Sequence, residues 1–289
     1  MAESGRSSKQ EEQAMDAPIG RLVAHGVHLA YDKRRVVHGI DLAVPTGQVT
    51  AIVGANGCGK STLLRGLGRI LRPVEGRVEL DGRDLHRMRP REVASVLGLL
   101  PQQPVAPEGI SVADLVGRGR HPHQGAFHRW SGDDADAVAR ALALTDTHDL
   151  VERRVEELSG GQRQRVWVAM MLAQDPRILL LDEPTTYLDI AHQVDVLDLL
   201  ADLNEQRGTT VVMVLHDLNL AARYADHLVV MAAGRLVREG APADVLDAAC
   251  VQEAFGMVAR VLSDPVTGTP MVIPAGVRER REAHAVRLA

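Results

Sequence analysis

Thr50-Ala51-Ile52-Val53 leads directly into Gly54-Ala55-Asn56-Gly57-Cys58-Gly59-Lys60-Ser61-Thr62. The nine-residue stretch fits the phosphate-loop pattern GxxxxGK(S/T), and the run before it is strand-like, so the segment reads as strand, tight loop, then helix. The glycines let backbone N–H groups turn inward around the phosphates of a nucleotide. Lys60 then reaches the β- and γ-phosphates, and Ser61 ligates Mg²⁺. Gly54, Ala55, Asn56, Gly57, Cys58, Gly59, Lys60, Ser61 and Thr62 are therefore the first candidate nucleotide contacts. A plain glycine turn before a helix is the alternative, and the strand–loop–helix context argues against it.

Around this loop, Val49–Val53, Val96–Leu100, Ile178–Leu181, Thr210–Leu215 and His227–Met231 are near-continuous apolar runs separated by helical stretches. A parallel sheet covered on both faces produces that pattern. Shorter runs at 21–29, 36–44 and 77–80 alternate loosely and predict antiparallel strands near the start. Between about 103 and 160 the strands stop, and Ser111–Gly117 and Asp133–Leu144 read as helices N-capped by Ser111 and Asp133. Ile190, Val194, Leu197 and Ala201 recur at helical spacing and predict an amphipathic helix lying on the sheet. The expected fold is α/β: a P-loop NTPase core with a mostly parallel sheet, an N-terminal antiparallel β-subdomain and an inserted α-helical subdomain. Residues 1–18 read as a disordered polar tail, 19–260 as the nucleotide-hydrolysing domain, and 261–289 as an extension made of a short strand pair and a frayed, charged end.

The chain of 289 residues carries a net charge of −5 with no basic stripe, which argues against nucleic acid as its main partner. Its apolar runs stop short of the roughly 18 residues a membrane span needs, and the first residues lack the apolar centre of a secretory signal. Cys58 and Cys250 make no disulfide framework, which suits a reducing compartment. Cys58 lies close to a helix N-terminus, where thiol pKa values tend to fall, so it is expected to be chemically reactive though not catalytic.

Two further stretches carry chemistry. Ile178-Leu179-Leu180-Leu181-Asp182-Glu183 is a buried strand ending in paired carboxylates, the Walker B pattern. At that strand end Asp182 is placed to hold Mg²⁺, and Glu183 to accept a proton from the water attacking the γ-phosphate. Leu158-Ser159-Gly160-Gly161-Gln162 opens a helix running to about Ala173, where free N–H groups form an anion site. With LSGGQ downstream of the phosphate loop, the chain resembles the ATP-binding-cassette (ABC) transporter ATPases over roughly residues 20–260. That resemblance implies that Ser159, Gly160, Gly161 and Gln162 face the γ-phosphate held by a second ATPase subunit, so the working form is a homodimer. It further implies that His216, directly after the strand Thr210–Leu215, is the switch histidine touching the γ-phosphate. Gln102 matches the glutamine that contacts Mg²⁺ or its water, with Gln103 leaving the register open by one. Tyr31 matches the aromatic that stacks on adenine, and Asp189 the aspartate that crosses to the other subunit, while also capping the helix after it.

Pro184-Thr185-Thr186-Tyr187-Leu188-Asp189-Ile190-Ala191-His192-Gln193 and Gly117-Arg118-Gly119-Arg120-His121-Pro122 resemble, more narrowly, the ATPases of bacterial importers for ferric siderophores, heme and cobalamin. The implied protein uses ATP and Mg²⁺ and lies peripherally on the cytoplasmic side of the inner membrane. Its implied partners are two integral-membrane permease subunits and, indirectly, an extracytoplasmic substrate-binding protein, with no nucleic acid. Two rivals stand beside it. A soluble ABC protein of DNA maintenance or translation usually carries two cassettes or a long coiled coil, and neither is visible here. An exporter ATPase is disfavoured by the Thr186–Gln193 wording alone. His121, His123 and His128 lack a familiar metal-ligand spacing and read as a plain loop.

Overall fold

The computed structural model describes residues 21–124, 130–186 and 188–276, so the expected tail at 1–18 and the charged end after 276 lie outside it. A hairpin of β1 (Leu22–Tyr31) and β2 (Arg34–Val44) is followed by β3 (Val49–Gly54), α1 (Lys60–Leu67), β4 (Glu75–Leu80), β5 (Arg83–Asp84), α2 (Pro90–Ala94) and β6 (Leu97–Leu100). The inserted helical region holds α3 (Val112–Gly117) and α4 (Gly132–Leu144) and runs into α5 (Gly160–Ala173). The α/β alternation then resumes with β7 (Ile178–Asp182), α6 (Ile190–Arg207), β8 (Thr210–Val214), α7 (Leu218–Tyr224), β9 (His227–Ala232) and β10 (Arg235–Gly240). The chain finishes with α8 (Pro242–Val245), α9 (Ala248–Phe255), β11 (Ala259–Ser263) and β12 (Pro270–Pro274).

Ten of the strands sort into the two sheets that the sequence predicts, and β11 pairs with β12 in a separate one. An antiparallel sheet runs β2-β1-β4-β5, and a six-stranded sheet runs β10-β9-β3-β8-β7-β6, parallel except for β10 on β9. Both faces of the larger sheet are dry. Ile52, Leu180, Val212, Val214, Val229 and Met231 share one apolar cluster with Leu63, Leu64 and Leu67 of α1 and with Leu22, Leu29 and Ile40 of the small sheet. Their sequence neighbours Ala51, Val53, Leu179, Leu181, Val211, Met213 and Val230 belong to the other cluster, packed under α5, α6 and α7. The side-chain period of two thus survives inside runs that are apolar at every position. The parallel register also aligns the carboxyl ends of β3, β8, β7 and β6 side by side, where such sheets bind ligands.

Two local expectations need correction. The N-cap of α4 is Ser131, not Asp133: the Ser131 hydroxyl accepts from Asp134 N, and the Asp134 carboxylate answers to Ser131 N. This reciprocal box satisfies two end groups at once, whereas Asp133 lies within the helix. On α6 the buried stripe is Val196, Leu197, Leu200 and Leu203, while Ile190 is 80% exposed. The first turn of α6 overhangs the sheet, so the apolar stripe that matters starts a turn and a half later. At the C-terminal end, β11 begins at Ala259, inside the expected 19–260 domain. Val272 of β12 joins the large core cluster and exchanges hydrogen bonds with the Asn219 amide of α7, at 2.7 and 3.3 Å. Among the described residues, no helix is long and apolar enough to cross a membrane.

Candidate active site

The loop between β3 and α1 is shaped by its glycines. Gly54, Gly57 and Gly59 have φ of 154°, 76° and 108°. A Cβ on Gly54 would stand 2.2 Å from the Met231 carbonyl oxygen and 2.7 Å from Cys58 Sγ, so only glycine lets the loop lie against β9. Gly59, the N-cap of α1, supplies no side-chain acceptor to the helix, and its first N–H groups remain open to an anion. Lys60 is 5% exposed, and its Nζ donates to the carbonyls of Gly54 at 2.9 Å and Ala55 at 3.2 Å. The ammonium group is therefore anchored over the loop with one donor still free. A cavity of about 580 Å³ opens here, lined by Arg34, Val36, Asn56, Gly57, Gly59, Lys60, Ser61, Thr62, Gln102, Glu183, Thr186 and His216.

Asp182, the last residue of β7, is 2% exposed, and neither of its carboxylate oxygens has a hydrogen-bond partner. The Arg65 guanidinium stands 3.9 Å from Oδ2. Burial pushes the Asp182 carboxyl up from its ordinary range, against the opposing pull of the Ser61 hydroxyl and Arg65. Unpartnered buried oxygens are costly, and a hard divalent cation between Asp182 and Ser61 would satisfy them. Among the described residues no cluster of three or more His, Cys, Asp or Glu side chains could hold a metal alone.

Glu183 follows with φ of 55°, a left-handed conformation uncommon outside glycine. Its carboxylate is held from both sides. Oε1 lies 2.6 Å from His216 Nε2, while Oε2 accepts from Gln102 Nε2 at 2.5 Å and from the Thr186 hydroxyl at 3.0 Å. Gln102 lines the phosphate cavity and reaches Glu183, whereas Gln103 lines only the neighbouring groove. With its NH₂ committed to the carboxylate, the amide leaves its carbonyl oxygen as the end that suits a cation.

Other expected residues lie apart from this cavity. Ser159 caps α5 by accepting from Gln162 N at 3.3 Å, and Gln162 Oε1 accepts from Ser159 N at 3.2 Å. None of Ser159, Gly160, Gly161 and Gln162 lines the phosphate cavity, although Gly160 borders a neighbouring groove of about 320 Å³ together with Glu183 and Thr186. Asp189 caps α6, accepting from His192 N at 3.0 Å, and pairs with His192 Nδ1 at 2.7 Å. Tyr31 is 41% exposed and accepts a hydrogen bond from Arg65 at 2.9 Å, but it does not line the cavity. The reactive thiol expected at Cys58 is overturned: the side chain is 6% exposed, and burial pushes its pKa up against the pull of Lys60. His123 is spent on the Gln174 carbonyl at 2.7 Å, and His128 lies outside the described residues. Arg34, Val36, Arg65 and Thr186 were not singled out from the sequence. The first two arrive through the β1–β2 register, whereas the hydroxyl of Thr186, so near Glu183 in sequence, is a signal that was readable.

Comparison with known proteins agrees with this geometry. Residues 37–186 match the family model described as ABC transporter. The chain is 51% identical over 264 residues to the achromobactin transport ATP-binding protein CbrD of Dickeya dadantii (strain 3937), covering 91% of this chain and 98% of the relative. It is 47% identical to the ferric enterobactin transport ATP-binding protein FepC of Escherichia coli (strain K12), covering 91% and 97%. Among solved structures, an inward-facing conformation of a metal-chelate type ABC transporter superposes with a TM-score of 0.77 at 28% identity, covering 89% of this chain and 98% of that one.

Proposed function

The chain belongs to the ABC transporter family and binds and hydrolyses ATP, and from that premise we propose that it powers import of ferric-siderophore-type chelates. The observation that carries the hydrolytic part is the Glu183 carboxylate, tied to His216 and Gln102 at the mouth of the phosphate loop. In this reading the loop N–H groups and Lys60 hold the β- and γ-phosphates of ATP. Glu183 takes the proton of the attacking water, and His216, in contact with the same carboxylate, faces the γ-phosphate. Ser61, Asp182 and Gln102 would hold Mg²⁺, which when bound neutralises charge on the phosphate oxygens. Tyr31 is the proposed adenine platform.

The distance of Ser159–Gln162 from the phosphate cavity supports a dimer, since this anion-binding turn has no phosphate to meet within its own chain. In the dimer, each signature turn closes over the γ-phosphate held by the other subunit, with Asp189 at the crossing. Importer ATPases work as dimers with membrane permease subunits, and the subunit is placed on the cytoplasmic side of that membrane. Two permease subunits, an extracytoplasmic binding protein acting through them, and the inner membrane as location complete the proposal. The iron-chelate cargo is carried by relatives whose names specify achromobactin and ferric enterobactin transport.

The test is uptake of labelled ferric siderophores, heme and cobalamin by cells with and without this subunit. Loss of ferric-siderophore uptake, restored by the native chain and not by Glu183→Gln, is the expected result. Unchanged uptake of the siderophores, with loss for heme or cobalamin, would reassign the cargo. Accumulation of chelate in its absence would point to export.

A further inference from the structure

We propose that Thr186 is a positioning residue for hydrolysis, tethering the Glu183 carboxylate from within its own loop. This rests on the reading of Glu183 as the base. The Thr186 hydroxyl donates to Glu183 Oε2 at 3.0 Å, and Thr186 N donates to the Glu183 backbone oxygen at 3.2 Å. The same oxygen Oε2 accepts from Gln102, which stands on the separate segment after β6, and Oε1 meets His216 after β8. Gln102 and His216 thus reach Glu183 from other strands, and any relative movement of those loops stretches their bonds. Thr186 moves with Glu183, because a closed turn joins them.

Such a tether answers a specific need. Glu183 leaves the strand in a left-handed backbone conformation at φ of 55°, a strained geometry that must be held by its surroundings. The carboxylate must keep one oxygen directed at the attacking water while the residues across the cavity rearrange around ATP. A hydroxyl fixed in the same turn gives Oε2 a constant partner, which restricts the rotation of the carboxylate and keeps Oε1 on the side of His216 and the cavity. Thr186 also lines both the phosphate cavity and the groove leading to Gly160, so it stands where the two sides of the site meet. A base displaced by a fraction of an ångström loses much of its effect, whereas ATP affinity rests on the phosphate loop and is insensitive to it.

Steady-state ATP hydrolysis by the full chain, with ATP affinity measured separately by a fluorescent ATP analogue, tests the tether. Thr186→Val keeps the volume and removes the donor; kcat should fall about tenfold or more with KM and ATP affinity within about twofold of native. Thr186→Ser, which keeps the hydroxyl, should recover most of that loss. In a Glu183→Gln background the valine change should add little, because the tethered carboxylate is already gone. The tether is wrong if Thr186→Val hydrolyses at close to the native rate, if serine fails to rescue, or if the valine change costs as much without the carboxylate as with it. A loss confined to ATP affinity also counts against it. Native-rate hydrolysis by Glu183→Gln alone would instead overturn the base reading, and the tether with it.

Discussion

Cys58 shows how one side chain can obey two opposed rules. Helix N-termini and a nearby lysine lower a thiol pKa, whereas burial raises it. At 6% exposure, with Gly54 and Met231 packed around the loop, burial wins. Cys250, fully buried on the inner side of α9, is pushed the same way by desolvation. Burial therefore favours the neutral thiol over the thiolate in both residues. A maleimide should accordingly label both at least about tenfold more slowly than a free thiol, with full reaction only after unfolding. Rapid modification of Cys58 in the native chain would show that the loop opens far more than its packing implies. Chain position alone makes Cys58 look exposed to chemistry; the neighbouring strand β9, distant in sequence, closes it off.

At the scale of elements, the stretch Gly117–Pro122 has a packing explanation. A Cβ on Gly119 would come within 2.1 Å of the Met170 carbonyl oxygen, so only glycine lets this turn lie against α5. Arg120 then donates to the Ala173 carbonyl at the C-terminal end of α5, at 2.8 Å, and to the Asp134 carboxylate in the first turn of α4, at 2.9 Å. One buried guanidinium joins two helices: its positive charge suits the C-terminal end of α5, and the negative Asp134 carboxylate it holds suits the first turn of α4. The Arg120 bond, with those of Ser131, holds the Asp134 carboxyl at about 2. Arg120→Ala should destabilise the insert by about 2–3 kcal/mol, seen as faster hydrogen exchange in α4 and the end of α5. Because the folded pKa of Asp134 lies below the usual value near 3.9, its contribution is complete above that pH and is lost as pH falls toward about 2. Asp134→Asn should therefore flatten the pH dependence of the unfolding midpoint between about pH 4 and 2. An equally steep dependence in the variant would place that linkage elsewhere.

For the whole molecule, the decisive fact is separation. Lys60, Glu183 and His216 meet at one end of the sheet, while Ser159–Gln162 cap α5 away from that cavity. On the proposed reading, a complete site requires two chains. Glu183→Gln keeps the shape of the side chain while removing its proton-accepting capacity, and should slow hydrolysis by about 10²–10⁴-fold. ATP would then persist between subunits, giving an ATP-dependent dimer on size exclusion. Adding Ser159→Arg should abolish that dimer without weakening ATP binding by the monomer. A Glu183→Gln chain that stays monomeric at saturating ATP would refute the sandwich, and Ser159→Arg that abolishes ATP binding would show the signature acting within its own chain.

By itself the sequence determined the phosphate loop, the carboxylates ending β7, the signature turn and the mostly parallel character of the sheet. Each is written in contiguous residues whose spacing answers to a local rule: glycines for positive φ, apolar runs for strands dry on both faces, a hydroxyl before a helix. Only the tertiary structure decided which glutamine reaches Glu183, that the Asp182 oxygens are buried without a hydrogen-bond partner, that Cys58 is shielded, and that the first turn of α6 overhangs the sheet. Those outcomes hang on contacts across long separations, 81 residues between Gln102 and Glu183 and 53 between Arg120 and Ala173. Strand order brings such pairs together, and no periodicity along the chain encodes which side chains will then face each other, because that depends on the packing of elements whose relative positions are set by the sheet as a whole.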